Sequence, residues 1–330
     1  MSIKQRFRTS MKKVNGDLLT PISIFQRLQG RHKFLLESST KYEGNGRYSF
    51  IGVNPRKTYR GQDEYLQDIS HLTNKSYQYD GELISLLKQV MPRVSSHTEF
   101  PLTGGGIGYI NALPKSLPAM QFHVYDTLFI FDHLTDEIAV FHTNIEAEQV
   151  EPNIDALIEQ LFAGHTPIET DYLLHSLEKS ATNRYDAKFS GDAFSLYRKL
   201  RIQHAAAYMY YIEFDECTVI GTSPTSSIQI RDGELSTTNT EASIERFCEE
   251  NSIHQAEQIQ HGKLLSTFHA MDVVKELQPN EGLIGYIGFN GQVDFATPHS
   301  MITITGDIAQ LYTATNDGEV PFHTLIKGGL

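Results

Sequence analysis

Cysteine is scarce in this chain: Cys217 and Cys248 are the only two among 330 residues, and they form no C-x-x-C pair. That excludes a disulfide framework and a thiolate metal cluster, and it fits a reducing cytoplasm. Positive charge is also in short supply, with 28 Lys and Arg against 40 Asp and Glu for a formal net charge of -12. Such a balance opposes a phosphate backbone, so nucleic acid is not an expected partner. No apolar run is long enough to span a bilayer, and the basic start (Lys4, Arg6, Arg8, Lys12, Lys13) has no apolar stretch behind it of the kind an export signal needs. The expectation is a soluble, cytoplasmic chain without a membrane partner, in which the basic start forms a solvated first strand or arm. The fourteen histidines include no H-E-x-x-H or H-x-x-x-H spacing, so a zinc site is not indicated by their number.

What is present reads as a globular α+β chain. Hydrophobic residues make up 40% and aromatics 10%, enough for one large core or two modest ones. Thr20 before Pro21, with Ile22, Phe25 and Leu28 behind them, supplies an N-cap and a helix start. Lys33 to Glu37 reads as a strand, and Leu83, Leu86, Leu87 and Val90 recur at helical spacing. Two apolar runs, Thr127 to Phe131 and Ile138 to His142, predict a hairpin, as do Tyr208 to Phe214 and Thr218 to Thr222. Leu264, Phe268, Met271 and Val274 predict an amphipathic helix that stops near Pro279. Asn290-Gly291 accepts the positive φ angles of a type I′ turn and joins a further strand pair. Residues 166–190 are polar and aperiodic, and are read as a linker between an amino-terminal region, 1–165, and a second region, 191–330.

Three smaller patterns carry little chemistry. The Gly104 to Gly108 cluster lacks the Gly-Lys-Ser or helix entry of a phosphate cradle and reads as a tight strand turn. His269 and Asp272 share a helix face but have no third ligand. Ser176-x-x-Lys179 has the spacing of a serine-lysine nucleophile without its partner motifs.

Several unusual strings occur in one order: Leu35-Leu36-Glu37-Ser38-Ser39, Arg47-Tyr48-Ser49-Phe50-Ile51-Gly52, Gly104-Gly105-Gly106-Ile107-Gly108-Tyr109, Tyr208-Met209-Tyr210-Tyr211, Ile220-Gly221-Thr222-Ser223-Pro224, and Gly285-Tyr286-Ile287-Gly288-Phe289-Asn290-Gly291 with Asp294. Together they resemble anthranilate synthase component I, a chorismate-binding family of tryptophan biosynthesis. The resemblance implies two facing β-sheets covered by helices, with part of the catalytic core deleted. In the family, pyruvate is removed from chorismate and ammonia added, with Mg²⁺ held on glutamates and a glutamine amidotransferase subunit as partner. Tryptophan binds a separate regulatory site, and the resemblance carries that site to Leu36, Glu37, Ser38, Tyr208 and Met209.

The departures from the family pattern fall on its chemistry. Where the family continues into a Pro-Ile-Ala-Gly-Thr-Arg string, this chain reads Asn239-Thr240-Glu241-Ala242-Ser243-Ile244. Glu257 is the one candidate Mg²⁺ ligand, with Gln258 in place of the family's His, so no cofactor is expected to be retained. The family's substrate tyrosine aligns with Asn280, and its carboxylate-binding arginine falls near His299-Ser300, neither of which offers a bidentate fork. Its Gln-Ala-Gly-Ala-Gly string aligns with Tyr312-Thr313-Ala314-Thr315-Asn316, whose Cβ atoms block close backbone approach. No catalytic residue is assigned. Three functions remain open: a catalytically inactive relative, a divergent but active anthranilate synthase, and a tryptophan-binding or scaffold module. In the third, the family's Asn-Pro-x-Pro before the Tyr-Met pair has become His204-Ala205-Ala206-Ala207.

Overall fold

The computed structural model describes residues 8–38, 46–94, 98–146, 151–163, 170–238, 261–263, 270–314 and 322–326. Two large, mainly antiparallel sheets lie face to face, and helices cover the outside of each. The first, sheet A, has eleven strands: β1 (Thr9–Asn15), β2 (Phe34–Ser38), β3 (Tyr48–Gly52), β9 (Thr127–Asp132), β10 (Glu137–Thr143), β11 (Tyr172–Ala181), β12 (Arg184–Gly191), β13 (Tyr208–Glu213), β14 (Thr218–Ser223), β20 (Ser300–Thr305) and β21 (Ile308–Thr313). They are ordered β1-β10-β9-β3-β2-β13-β14-β20-β21-β12-β11. Sheet B has ten: β4 (Lys57–Gln62), β5 (Tyr65–Ser70), β6 (Ser76–Asp80), β7 (Gly105–Ile110), β8 (Met120–Tyr125), β15 (Ile228–Arg231), β16 (Glu234–Thr237), β17 (His261–Lys263), β18 (Leu283–Gly288) and β19 (Val293–Ala296). Their order is β17-β16-β15-β19-β18-β7-β8-β4-β5-β6.

Period-two alternation sends one set of side chains from each sheet into the space between them and the other set outward. Phe34, Phe50, Tyr210 and Val219 from sheet A meet Ile107, Tyr109 and Tyr286 from sheet B in the central core. Outside sheet A, α1 (Pro21–Arg27), α3 (Ile154–Ala163) and α4 (Ala193–Gln203) pack Phe25, Leu161 and Tyr197 onto Leu35, Met209 and Ile302. Outside sheet B, α2 (Leu83–Val90) and α5 (Ala270–Leu277) pack Leu87 and Val274 onto Phe122 and Phe295.

Local signals explain several of these elements. Thr20 caps α1 through a reciprocal box: its hydroxyl accepts from the Ser23 amide at 3.2 Å, and Ser23 Oγ accepts from the Thr20 amide at 2.8 Å. The two predicted early strands pair as β9 and β10, with Phe131 opposite Ile138 and Leu128 opposite Phe141. Asn290-Gly291 does lie in the turn that joins β18 to β19, but only Gly291 has a positive φ, 82°, so the turn is not the expected type I′ pair; Gly291 donates to the Gly288 carbonyl and Gly288 to the Gln292 carbonyl in a longer loop. Of the basic start, Lys12 and Lys13 lie in edge strand β1, where Lys13 Nζ meets Glu99 at 2.6 Å, while Lys4 and Arg6 lie outside the described residues. Of the predicted helix around Leu264 to Val274, residues 270–277 are helical as α5, and Leu264 and Phe268 lie outside the described residues. No helix among the described residues is long and apolar enough to cross a membrane.

One reading needs correction. The polar stretch 166–190 contains β11 and most of β12, a hairpin paired to β21 through β12. β11 is an edge strand interrupted by register shifts, so neither of its faces is steadily buried and no alternation marks it. Strands from both sides of that stretch are interleaved in both sheets.

Between the sheets, His32 packs edge-on to His123 at 4.9 Å between centroids, and His71 lies 6.1 Å from His32. His123 is 0% exposed and neither ring nitrogen has a hydrogen-bond partner among the described residues. Burial first, then His32 and His71, hold its pKa well below the ordinary 6.5. The folded state therefore keeps His123 neutral at a pH where the unfolded chain binds a proton, so stability falls as pH drops below about 6.5. Urea midpoints should decline between about pH 7 and pH 5, with a slope of up to ~1.4 kcal/mol per pH unit for one such group. The variant His123→Phe should flatten that slope, and an unchanged slope would contradict the assignment.

Candidate functional site

β2 and β13 lie side by side in sheet A, with Ser38 opposite Tyr208, Glu37 opposite Met209 and Leu36 opposite Tyr210. All five residues carried over from the family's regulatory site therefore sit on two adjacent strands. They border one cavity of about 350 Å³ between the sheets. Alternation divides their side chains. Leu36 and Tyr210 belong to the core between the sheets, so Ser38 and Tyr208, two residues along, share that inner face. Met209 belongs to the core under α4, and Glu37 points the same way. Its carboxylate, 6% exposed, accepts from Tyr197 Oη at 2.5 Å and from Arg201 Nε at 2.8 Å, both on α4. Leu36, Ser38 and Tyr208 thus present side chains to the cavity, while Glu37 and Met209 form its wall through their main chain and tie it to α4.

The opposite wall comes from sheet B. Tyr286 on β18 is paired with Asp294 on β19, and Gln229 on β15 is paired with the same aspartate. Asp294 is 6% exposed and accepts from Ser226 Oγ at 2.7 Å, Gln229 Nε2 at 2.8 Å and Arg231 Nη2 at 3.4 Å. Burial raises its pKa above the ordinary carboxylate value, outweighing the opposite pull of Ser226, Arg231 and Gln229. The hydroxyls of Tyr48, Tyr208 and Tyr286, together with Arg231 Nε and Gln292 Oε1, make no hydrogen bond among the described residues. Buried polar groups without partners are unusual. Arg47 stands at the rim, bound to Asp132 through Nε at 3.1 Å and Nη2 at 2.7 Å, with its guanidinium 4.8 Å from the Tyr48 ring. The cavity therefore offers aromatic and aliphatic walls, with a guanidinium and a carboxylate side by side.

Arg231 was not singled out by the sequence reading, and Tyr286 entered it only within a family string, with no place in a site. A signal for them existed: Asp294 is a lone acid in the otherwise apolar strand Val293–Ala296, and an acid buried there needs a cationic or hydrogen-bonding partner on a neighbouring strand.

None of the described positions aligned with the family's chemistry lines this cavity. Glu257, Gln258 and the Asn239 to Ile244 string lie outside the described residues. Among the described residues, no group of three His, Cys, Asp or Glu side chains is placed to hold a metal ion. Ser300 is buried on β20 beside Thr222 and Thr313, and Asn280 lies in the turn before β18, at the edge of a second cavity.

A family model for chorismate binding enzymes matches residues 177–240. The chain is 26% identical over 276 residues to anthranilate synthase component 1 of Lactococcus lactis, covering 69% of this chain and 59% of that protein. It is 26% identical over 283 residues to the Bacillus subtilis protein of the same name, covering 66% and 55%. The matches thus span between half and two thirds of the curated relatives. Among solved structures, anthranilate synthase component I from Streptococcus pneumoniae superposes with a TM-score of 0.58 at 18% identity, covering 94% of this chain and 96% of that one. The menaquinone-specific isochorismate synthase of Escherichia coli gives 0.55 at 12% identity, covering 93% and 88%. The chain is thus similar to anthranilate synthase component I over part of that protein's length, and its paired sheets have the fold of those solved structures.

Proposed function

We propose that this chain is a catalytically inactive relative of anthranilate synthase component I that binds tryptophan in the cavity between its sheets. The observation that carries the reading is the convergence of Leu36, Ser38 and Tyr208 on a cavity of about 350 Å³ whose far wall holds Arg231 against Asp294. A zwitterionic aromatic amino acid matches that wall: its carboxylate pairs with the guanidinium, its ammonium with the carboxylate, and its ring lies against Leu36, Phe50 and the tyrosines. Loss of catalysis rests on the sequence. Mg²⁺ chemistry on chorismate needs a cradle of hard oxygen ligands and a cationic clamp for the ring carboxylate, and Glu257 alone, with Ser300 and Asn280 in the clamp positions, supplies neither.

Two measurements test the two halves. With chorismate, Mg²⁺ and either glutamine or ammonia, anthranilate fluorescence should not rise above a control without protein, and a rise would make the divergent active enzyme the correct reading. Tryptophan should raise the melting temperature through binding to the folded state, by about 2.7 kcal/mol at a hundredfold excess over Kd, or roughly a few degrees for a chain of this size. Ala205 and Ala207 stand where the family has prolines, which lowers preorganisation by about 1 kcal/mol per site and places the effect at millimolar ligand. The variant Ser38→Arg should abolish the shift by filling the cavity. A shift that survives Ser38→Arg, or none at any soluble concentration, would leave a scaffold role instead.

A further inference from the structure

Each sheet ends on two edge strands, and of the four only β6 is both regular and bare. β1 carries lysines, β11 is interrupted by register shifts and β17 is three residues long, all features that blunt an open edge. β6, Ser76–Asp80, runs along β5 without a register shift, contains no proline, lysine or glycine, and is exposed at every residue. Among the described residues no strand lies on its outer side.

Pairing with β5 fixes which backbone groups face that open side. The Ser70 amide donates to the Lys75 carbonyl at 2.9 Å, and the Gly81 amide donates to the Glu64 carbonyl at 2.7 Å. Lys75 and Gly81 therefore turn their backbone groups toward β5, and so do Tyr77 and Tyr79 between them. Ser76, Gln78 and Asp80 point their N–H and C=O groups outward. The side chains alternate as well. Tyr77 and Tyr79, 55% and 38% exposed, stand opposite Asp68 and Leu66, on the face where Leu66 packs with α2.

We infer that β6 is a dimerisation edge whose occupant is β6 of a second copy of this chain, antiparallel about a two-fold axis at Gln78. That register sets Gln78 opposite itself and Ser76 opposite Asp80 of the second copy, all with outward-facing backbone groups, for about six N–H···O bonds at two per pair. A hydroxyl meets a carboxylate and no like charges face each other, so the strand is complementary to itself. Between them, Tyr77 falls opposite Tyr79 of the second copy, twice, in the close pairs where aromatic rings on one face pack against each other. Moving the axis to Tyr77 or Tyr79 leaves an end of β6 beyond the pairing. A five-residue contact stands at the small end of specific interfaces, below about 1,200 Å² buried, so the dimer is a reversible one.

Sedimentation equilibrium of the full chain should show the average mass climbing from monomer toward dimer between about 1 µM and about 1 mM, the range expected of a small interface. Gln78→Pro removes an N–H that points away from β5, so it should melt like the parent and dimerise about tenfold more weakly or worse. Gln78→Lys sets two cations face to face across the axis and should weaken the dimer in the same way, whereas Gln78→Thr, which suits a paired strand, should keep it. Hydrogen exchange over residues 75–81 should slow as the parent is concentrated and stay fast in Gln78→Pro. A mass that stays monomeric up to about 1 mM, a dimer unaffected by Gln78→Pro and Gln78→Lys, or exchange at β6 that ignores concentration would overturn the inference.

Discussion

Alanine at Gly285 should destabilise the protein by about 3 kcal/mol or more, lowering the melting temperature by roughly 5 °C or more. Gly285 sits in the middle of β18, between Gly108 of β7 and Phe295 of β19. A Cβ built there lies 2.0 Å from the Asp294 carbonyl oxygen and 2.9 Å from the Phe295 Cα. Both obstacles are backbone, so no rotamer change relieves them and the strands must part. Gly108 presses on Gln121 in the same way, its Cβ falling 1.9 Å from the carbonyl oxygen. The control is Gly306, a turn residue at φ 60° with nothing within 4 Å of its Cβ, where alanine should cost only about 1 kcal/mol of backbone strain. Equal melting temperatures for the two variants would show that sheet B is more compliant than its register implies.

The second large effect is expected at Glu37. Replacing it by alanine leaves the buried Tyr197 hydroxyl without its acceptor and Arg201 without its counter-ion. Breaking a buried pair costs about 3–5 kcal/mol, and because the Arg201 side chain is 43% exposed the value belongs at about 3. Chemical denaturation of Glu37→Ala, Tyr197→Phe and the double variant should give a smaller loss for Tyr197→Phe, about 1.5–3 kcal/mol for a hydrogen bond to a charged group, and clear non-additivity in the pair. Additive losses would mean that the two side chains do not act together. The experiment also bears on the cavity: a variant that is destabilised yet still responds to tryptophan would assign Glu37 to the α4 attachment, whereas one that folds but no longer responds would give it a part in the ligand site as well.

Much of this architecture was legible in the sequence wherever chemistry acts locally. Thr20 and Pro21 mark the start of α1 because a side-chain cap and a fixed φ act within one turn. Gly291 marks the β18–β19 turn because glycine takes its positive φ without strain, although the expected type I′ angles at Asn290 are not adopted. The edge hairpin of β11 and β12 was not legible: Leu173, Glu178 and Lys179 stand outside any core, so the chain there carries no period to read. At the cavity, the ordered strings singled out Leu36, Glu37, Ser38, Tyr208 and Met209, which β2 and β13 place side by side. Which face each occupies was not legible, because that depends on whether helix α4 or sheet B lies across from it. Arg231 and Tyr286 were missed for a related reason, since the pairing of β15, β19 and β18 around Asp294 is invisible along the chain.

The interleaving of the sheets also has a temporal side. Leu36 finds its neighbour in Tyr210, and Gly108 finds Gly285, so the strands around the first cavity are joined only after most of the chain has been made. Such high contact order slows folding, because loop-closure entropy is lost before the distant pairings reward it. During synthesis β2 must wait, its edge exposed, for β13 to leave the ribosome. A ligand seated between the two sheets would favour only chains that have already completed that search, so tryptophan, where it binds, should slow unfolding more than it speeds folding.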